Sequence, residues 1–184
     1  MMESRLNQEL SSFFQDHPIE VQFKKIEHIR NSPENYTPEL SSALKSEIIH
    51  KLSPSGIKSN AVFTSVSHTR KNEETWLVVA GSIQRIGVDL EISDRKVHPR
   101  VLHRLISPEE SKFDLNVLEF WVVKEAAFKV KPINPGTFVS QYPITDWNRM
   151  TGTGKIRFPL PSKQECNFKL IKLKPWLFAF AKID

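Results

Sequence analysis

Leu6, Leu10, Phe13 and Phe14 recur at helical spacing and share one face, which predicts an opening amphipathic helix that stops near Asp16-His17-Pro18. The pattern then changes to alternation. Ile19, Val21 and Phe23 fall on one side and Glu20, Gln22 and Lys24 on the other, predicting a half-buried strand from Ile19 to Ile29. Thr37-Pro38-Glu39 reads as a helix start, with Thr37 as cap and Pro38 in the first turn. Leu40, Leu44 and Ile48 line a face of that helix until Ser53-Pro54-Ser55-Gly56 ends it. Three apolar segments rich in β-branched or aromatic residues follow: Ala61 to Val66, Trp76 to Ile83 and Ile86 to Ile92. They predict consecutive strands, and the link Ser82 to Arg85 is short enough for a hairpin.

Pro99 to Ile106 predicts a short helix. Ser107-Pro108-Glu109-Glu110 starts another, with Ser as cap, Pro in the first turn and acids against the positive end of the helix dipole. The strongest helix runs from about Asn116 to Val130 and is ended by Lys131-Pro132 and Asn134-Pro135-Gly136. Thr137 to Ser140, Lys155 to Leu160, Phe168 to Leu173 and Trp176 to Ala181 then read as short strands between turns. Mixed elements followed by a run of strands predict an α+β fold rather than a regularly alternating α/β one.

A chain of 184 residues is long enough for one domain, or for two small subdomains packed as a unit. A division near Arg85 gives halves of similar length, 1–85 and 86–184, without evident identity between them. Twelve Phe and four Trp spread along the chain argue against disorder, and the net charge of +5 favours anionic partners without choosing among them. Cys166 is the only cysteine, which excludes an intrachain disulfide or a cysteine metal cage and fits a reducing compartment. No leader pattern and no apolar run of membrane-spanning length is visible, so a soluble, cytoplasmic protein is expected.

The chemistry concentrates between Ile86 and Lys129. Asp89 and Glu91, separated by one residue on a strand, point to the same face, and carboxylates side by side are tolerated when solvated or when a cation sits between them. On the helix, Glu125 and Lys129 share a face, with Lys124 on a neighbouring one. If strand and helix pack together, Asp89, Glu91 and Glu125 offer three oxygen ligands suited to Mg²⁺. Lys129 would then neutralise a phosphate, and Glu125 could also accept a proton from a hydroxyl nucleophile. Gly87 would let a backbone or ligand approach closely. A Lys two residues after the second acid, as nuclease sites of this kind place it, is replaced by Ser93. No basic stripe with interleaved aromatics appears either, so nucleic acid is not the expected partner.

The residues Ser65-Val66-Ser67-His68-Thr69, Ile86-Gly87-Val88-Asp89-Leu90-Glu91, Arg104-Leu105-Ile106-Ser107-Pro108-Glu109-Glu110 and Phe120-Trp121-Val122-Val123-Lys124-Glu125-Ala126-Ala127-Phe128-Lys129, in this order, resemble the 4′-phosphopantetheinyl transferases. The second acid, Glu91, resembles their larger, surfactin-synthetase-activating type. That resemblance implies two similar α+β subdomains packed as a pseudo-dimer in a monomer. It also implies Mg²⁺ held by Asp89, Glu91 and Glu125, with Glu125 and Lys129 catalytic. Ser67, His68, Lys124 and Lys129 would contact coenzyme A, the substrate, and an acyl or peptidyl carrier protein would be the partner. Val122 stands where the family has Ser, Thr or Cys, and the N-terminal third lacks its basic coenzyme-binding helix; Lys24, Lys25, Arg30, Lys45 and Lys58 are the basic candidates there. A relative that binds coenzyme A or a protein without transfer is the alternative expectation.

Overall fold

A computed structural model describes residues 2–15, 17–26, 36–53, 61–72, 74–98, 101, 104–131, 138–162 and 164–183 of the chain. The amphipathic face expected at the start forms helix α1, Met2–Phe14, with Leu6, Leu10 and Phe14 buried. Strand β1, Ile19–Ile26, follows, and helix α2, Tyr36–Leu52, comes next. Thr37 therefore lies inside α2 rather than at its cap, and Glu27 to Ile29, expected in the strand, fall outside the described residues together with Arg30, Lys58, Pro132 and Asn134 to Thr137. Strands β2, Phe63–Lys71, and β3, Glu74–Ser82, form a hairpin that turns at Asn72, whose φ of 57° is a left-handed conformation Asn accepts.

Strand β4, Ile86–Ile92, does not pair with β3, so the expected hairpin at Ser82 to Arg85 is instead a crossing between sheets. Sheet A has the order β1-β3-β2. Sheet B runs β4-β8-β7-β6-β5, where β5 is Ile144–Asn148, β6 Thr153–Arg157, β7 Glu165–Leu173 and β8 Trp176–Lys182. Helix α3, Val117–Val130, is the one foreseen; Asn116 Oδ1 accepts the Glu119 N–H (2.9 Å), and Glu119 Oε2 accepts the Asn116 N–H (3.0 Å). Ser107 to Glu110 opens only a 3₁₀ turn, Pro108–Lys112, and Val139–Gln141 is likewise 3₁₀ rather than strand. The sequence reading missed β5 because Thr145, Asp146 and Asn148 look like a turn; β5 is a sheet edge whose backbone ladder, among the described residues, is with β6 alone, and it is partly exposed. Of the expected helix Pro99 to Ile106, Val101, Arg104 and Leu105 are described and helical.

Alternation along the strands sorts the core into layers. Leu44, Ile48 and Leu52 of α2 pack on Ile26, Leu77 and Val79, one face of sheet A. Its other face, through Val21, Phe23, Val78 and Ala80, packs on Val88, Leu90, Phe178 and Phe180 of sheet B, with α1 completing that core. The far face of sheet B, through Phe168, Leu177 and Ala179, carries Val122, Val123, Ala126 and Ala127 of α3. The order is thus helix, sheet, sheet, helix. Every residue of β4 is buried because the strand is covered on both faces, which explains why it reads as a continuous apolar run broken only by its acids.

The same connectivity occurs twice. β1-α2-β2-β3 and β4-α3-β7-β8 each run strand, helix, hairpin, and in each the last strand pairs antiparallel with the first. The second half inserts β5 and β6 ahead of its hairpin, and α1 precedes the first. Among the described residues, no helix is long and apolar enough to cross a membrane.

Candidate functional site

Even-numbered residues of β4 point between the sheets, which leaves Gly87, Asp89 and Glu91 on the α3 face. Contact is closest at Gly87: a Cβ there would lie 1.9 Å from the Ala126 carbonyl oxygen. Glycine therefore lets the helix backbone settle directly on the strand, and this brings Glu125 and Lys129 beside Asp89. Lys129 Nζ donates to Asp89 Oδ1 at 2.6 Å and to the Val88 carbonyl at 3.1 Å.

A second element completes the site. β2 and β4 are the neighbouring edges of the two sheets and meet through side chains. Ser65, Ser67 and Thr69, alternate residues of β2, all face β4: Ser65 Oγ accepts the Val88 N–H (3.0 Å), Ser67 Oγ donates to Asp89 Oδ1 (2.7 Å), and Thr69 Oγ1 donates to Glu91 Oε2 (2.9 Å). Arg95, just beyond β4, pairs with Glu91 Oε1. Asp89 Oδ2 is buried and has no partner.

Electrostatics follow from this placement. Burial raises the Asp89 carboxyl above its ordinary range, against the stabilising charge of Lys129 and the hydrogen bonds from Lys129 and Ser67. Glu125 is pushed up to about 7, first by burial and then by the charge of Asp89, with Glu91 adding to it and Lys129 opposing. The three carboxylates are therefore close enough to feel one another. Among the described residues, however, no three acidic, cysteine or histidine side chains converge as a metal cage; the strand acids are turned to Lys129, Arg95 and the β2 hydroxyls.

Two expected site residues lie elsewhere. His68 alternates with Ser67 and projects, exposed, from the opposite face of β2. Lys124 is fully buried; its Nζ donates to the Leu105 carbonyl (2.6 Å) and to the Glu110 carboxylate (2.8 Å), which in turn accepts the Ile144 N–H (2.7 Å). Burial lowers the Lys124 ammonium below its ordinary range, opposed by Glu110. This pair ties α3 to the 3₁₀ turn and to β5, a structural duty that leaves Lys124 away from Asp89. Val122 is buried in the apolar core under α3, so its hydrophobic character follows from packing.

The sequence reading assigned no role to Ser65, Thr69 or Arg95, and gave Glu110 only a place at a helix start. Hydroxyls at alternate positions on one strand were the available signal for the first two. Thr69→Val keeps the shape but leaves Glu91 Oε2 without its donor, and is expected to lower the unfolding free energy by about 1–3 kcal/mol in urea titrations. Thr69→Ser should recover most of that loss; equal losses in both variants would exclude the hydrogen bond as the cause.

Compared with protein-family models and with curated proteins, the chain matches none.

Proposed function

We propose that the protein transfers the 4′-phosphopantetheine group of coenzyme A to a serine of an acyl or peptidyl carrier protein, with Mg²⁺. The observation that carries this reading is the meeting of the buried Asp89–Glu91 pair with Glu125 and Lys129, in which one buried carboxylate oxygen, Asp89 Oδ2, has no partner. The repeated strand-helix-hairpin connectivity supports the pseudo-dimer architecture that goes with the family resemblance.

The donor set suits a hard cation. Asp89, Glu91 and Glu125 would hold Mg²⁺ with oxygen alone, and the ion would supply charge neutralisation at the diphosphate. Glu125, whose carboxyl is pushed up to about 7 in the metal-free protein, would take the proton from the carrier serine hydroxyl. The serine oxygen forms the new bond to the β-phosphorus, the bond to the bridging oxygen breaks, and adenosine 3′,5′-bisphosphate leaves. Lys129 lies beside Asp89 and is suited to shift its hydrogen bonds to a phosphate oxygen, while Ser67 keeps Asp89 oriented. Positioning and charge would carry most of the rate, as in phosphoryl transfer generally.

One observation favours the alternative, a protein that binds coenzyme A without transfer: Lys129 and Arg95 already neutralise Asp89 and Glu91. A single experiment separates the two. The protein is incubated with coenzyme A, Mg²⁺ and a panel of apo carrier proteins, and the carriers are weighed by mass spectrometry. Gain of one phosphopantetheine mass, absent without Mg²⁺, is the expected result. No gain on any carrier, with coenzyme A binding detected by calorimetry, selects the alternative; no gain and no binding overturns both.

A further inference from the structure

Sheet B carries a second concave surface, on the face opposite the acid pair. Sheet A and α1 cover that face over β4 and β8 but leave β6 and the adjoining part of β7 open. The remainder forms a cleft of about 710 Å³, walled by α1 and by the turn between β5 and β6. That volume suits a small molecule rather than a helix or a strand.

The register makes the floor unusual. Lys155, Asn167 and Lys182 lie in one row across β6, β7 and β8, and Thr153 with Lys169 form the next row. At strand spacing, Lys155 and Lys182 stand about 10 Å apart at the backbone. Lys169 is diagonal to both, about 7–8 Å away. Each of these floor side chains is a hydrogen-bond donor. Two of the three lysines are held well inside: the Lys169 side chain is 12% exposed and residue Lys182 is 8% exposed. Lys169 is fixed by the Thr151 carbonyl at 2.8 Å, and Lys182 rests over the rings of Phe13 and Phe14 at 5.4 and 5.6 Å. Two acids share the lining with the three lysines: Glu9 on α1 pairs with Lys169 at 3.6 Å, and Asp146 on β5 stands opposite Lys155.

We propose that this cleft is a binding site for a diphosphate, free or carried by a nucleoside, held by Lys155, Lys169 and Lys182 with Asn167 and Thr153. A lysine floor sunk in a concavity focuses positive potential, and a ligand with two linked phosphates can reach ammonium groups on more than one strand at once. A single small anion reaches only part of such a floor. The site lies on the other side of sheet B from Asp89 and needs no metal.

The test uses the full chain in EDTA, which silences any metal-dependent binding at the acid pair. Inorganic diphosphate and ADP are titrated to millimolar concentration into ¹⁵N-labelled protein, and the affinity is measured by calorimetry. Backbone signals of 151–155 and 167–169 should shift with both probes. Lys155→Ala, an exposed position, should weaken binding about tenfold, and Lys169→Met at least as much. ADP binding more tightly than diphosphate would identify the nucleoside form as the ligand; equal binding would identify the diphosphate alone. No shift with either probe overturns the proposal, and so do shifts confined to 86–91 and 125–129. An unchanged affinity in Lys155→Ala also overturns it. Should Lys169→Met fail to fold, the mapping on the unmodified protein and the Lys155 variant still decide.

Discussion

Under the proposed reaction, Glu125→Gln is expected to cut phosphopantetheine transfer by about 10²–10⁴-fold, the usual worth of a positioned general base, while making the metal-free protein more stable at neutral and higher pH. The two effects have one origin. Burial and the Asp89 charge hold the Glu125 carboxyl near 7, above its ordinary 4.5. Between those values the folded protein keeps a proton that the unfolded chain releases, so folding stability falls as pH rises through that window and levels off above 7. The Gln variant carries no such ionisation and escapes that fall. Melting temperatures in EDTA should therefore show an advantage for Glu125→Gln that grows from pH 5 to about pH 8 and then stays constant. A pH-independent difference would mean that the folded protein does not hold the Glu125 carboxyl above its ordinary range; a fully active, folded variant would remove Glu125 from the proposed mechanism.

Gly87→Ala is the second large effect, and it is a packing effect. The added methyl would lie 1.9 Å from the Ala126 oxygen, 2.9 Å from the Val130 nitrogen and 3.0 Å from the Ala126 carbon, all of them helix backbone. A flexible side chain could swing aside; a hydrogen-bonded helix cannot. Relief requires α3 to lift from β4, opening a core that includes Val122, Val123, Ala126 and Ala127. Overpacking of this kind costs about 1–3 kcal/mol, occasionally more, and the same displacement carries Glu125 and Lys129 away from Asp89. Urea denaturation reads the first consequence, and the carrier mass assay on whatever folds reads the second. A melting temperature within about 2 °C of the wild type would show that the helix does not rest on Gly87.

Much of this region was legible from residues alone because local rules govern it. Helix α3 was legible from about Asn116 to its stop at Lys131-Pro132, and Asp89 and Glu91 must share a face because they are two apart on a strand. What failed to be legible depended on partners remote in the chain. Spacing suggests that β3 turns back into β4, but β4 pairs with β8, at the other end of the sequence. Lys124 looks like a companion of Glu125, yet one step along a helix turns a side chain by about 100°, and Lys124 faces Glu110 instead. His68 beside Ser67 is likewise turned to the other face, through the alternation of a strand. Polar residues hid the length of β2, because Ser67 and Thr69 are polar for the sake of Asp89 and Glu91 rather than of water.

That last arrangement sets a tolerance on how the two sheets can be mounted together. Backbone ladders of adjacent strands can slip and re-form, but the seam between β2 and β4 is keyed: hydroxyls on one edge, an amide and two carboxylates on the other. A slip of one residue would turn Ser65, Ser67 and Thr69 outward and present Thr64, Val66 and His68 to buried acids. The acid pair thus acts as a gauge that accepts one alignment of the N-terminal hairpin and rejects its neighbours.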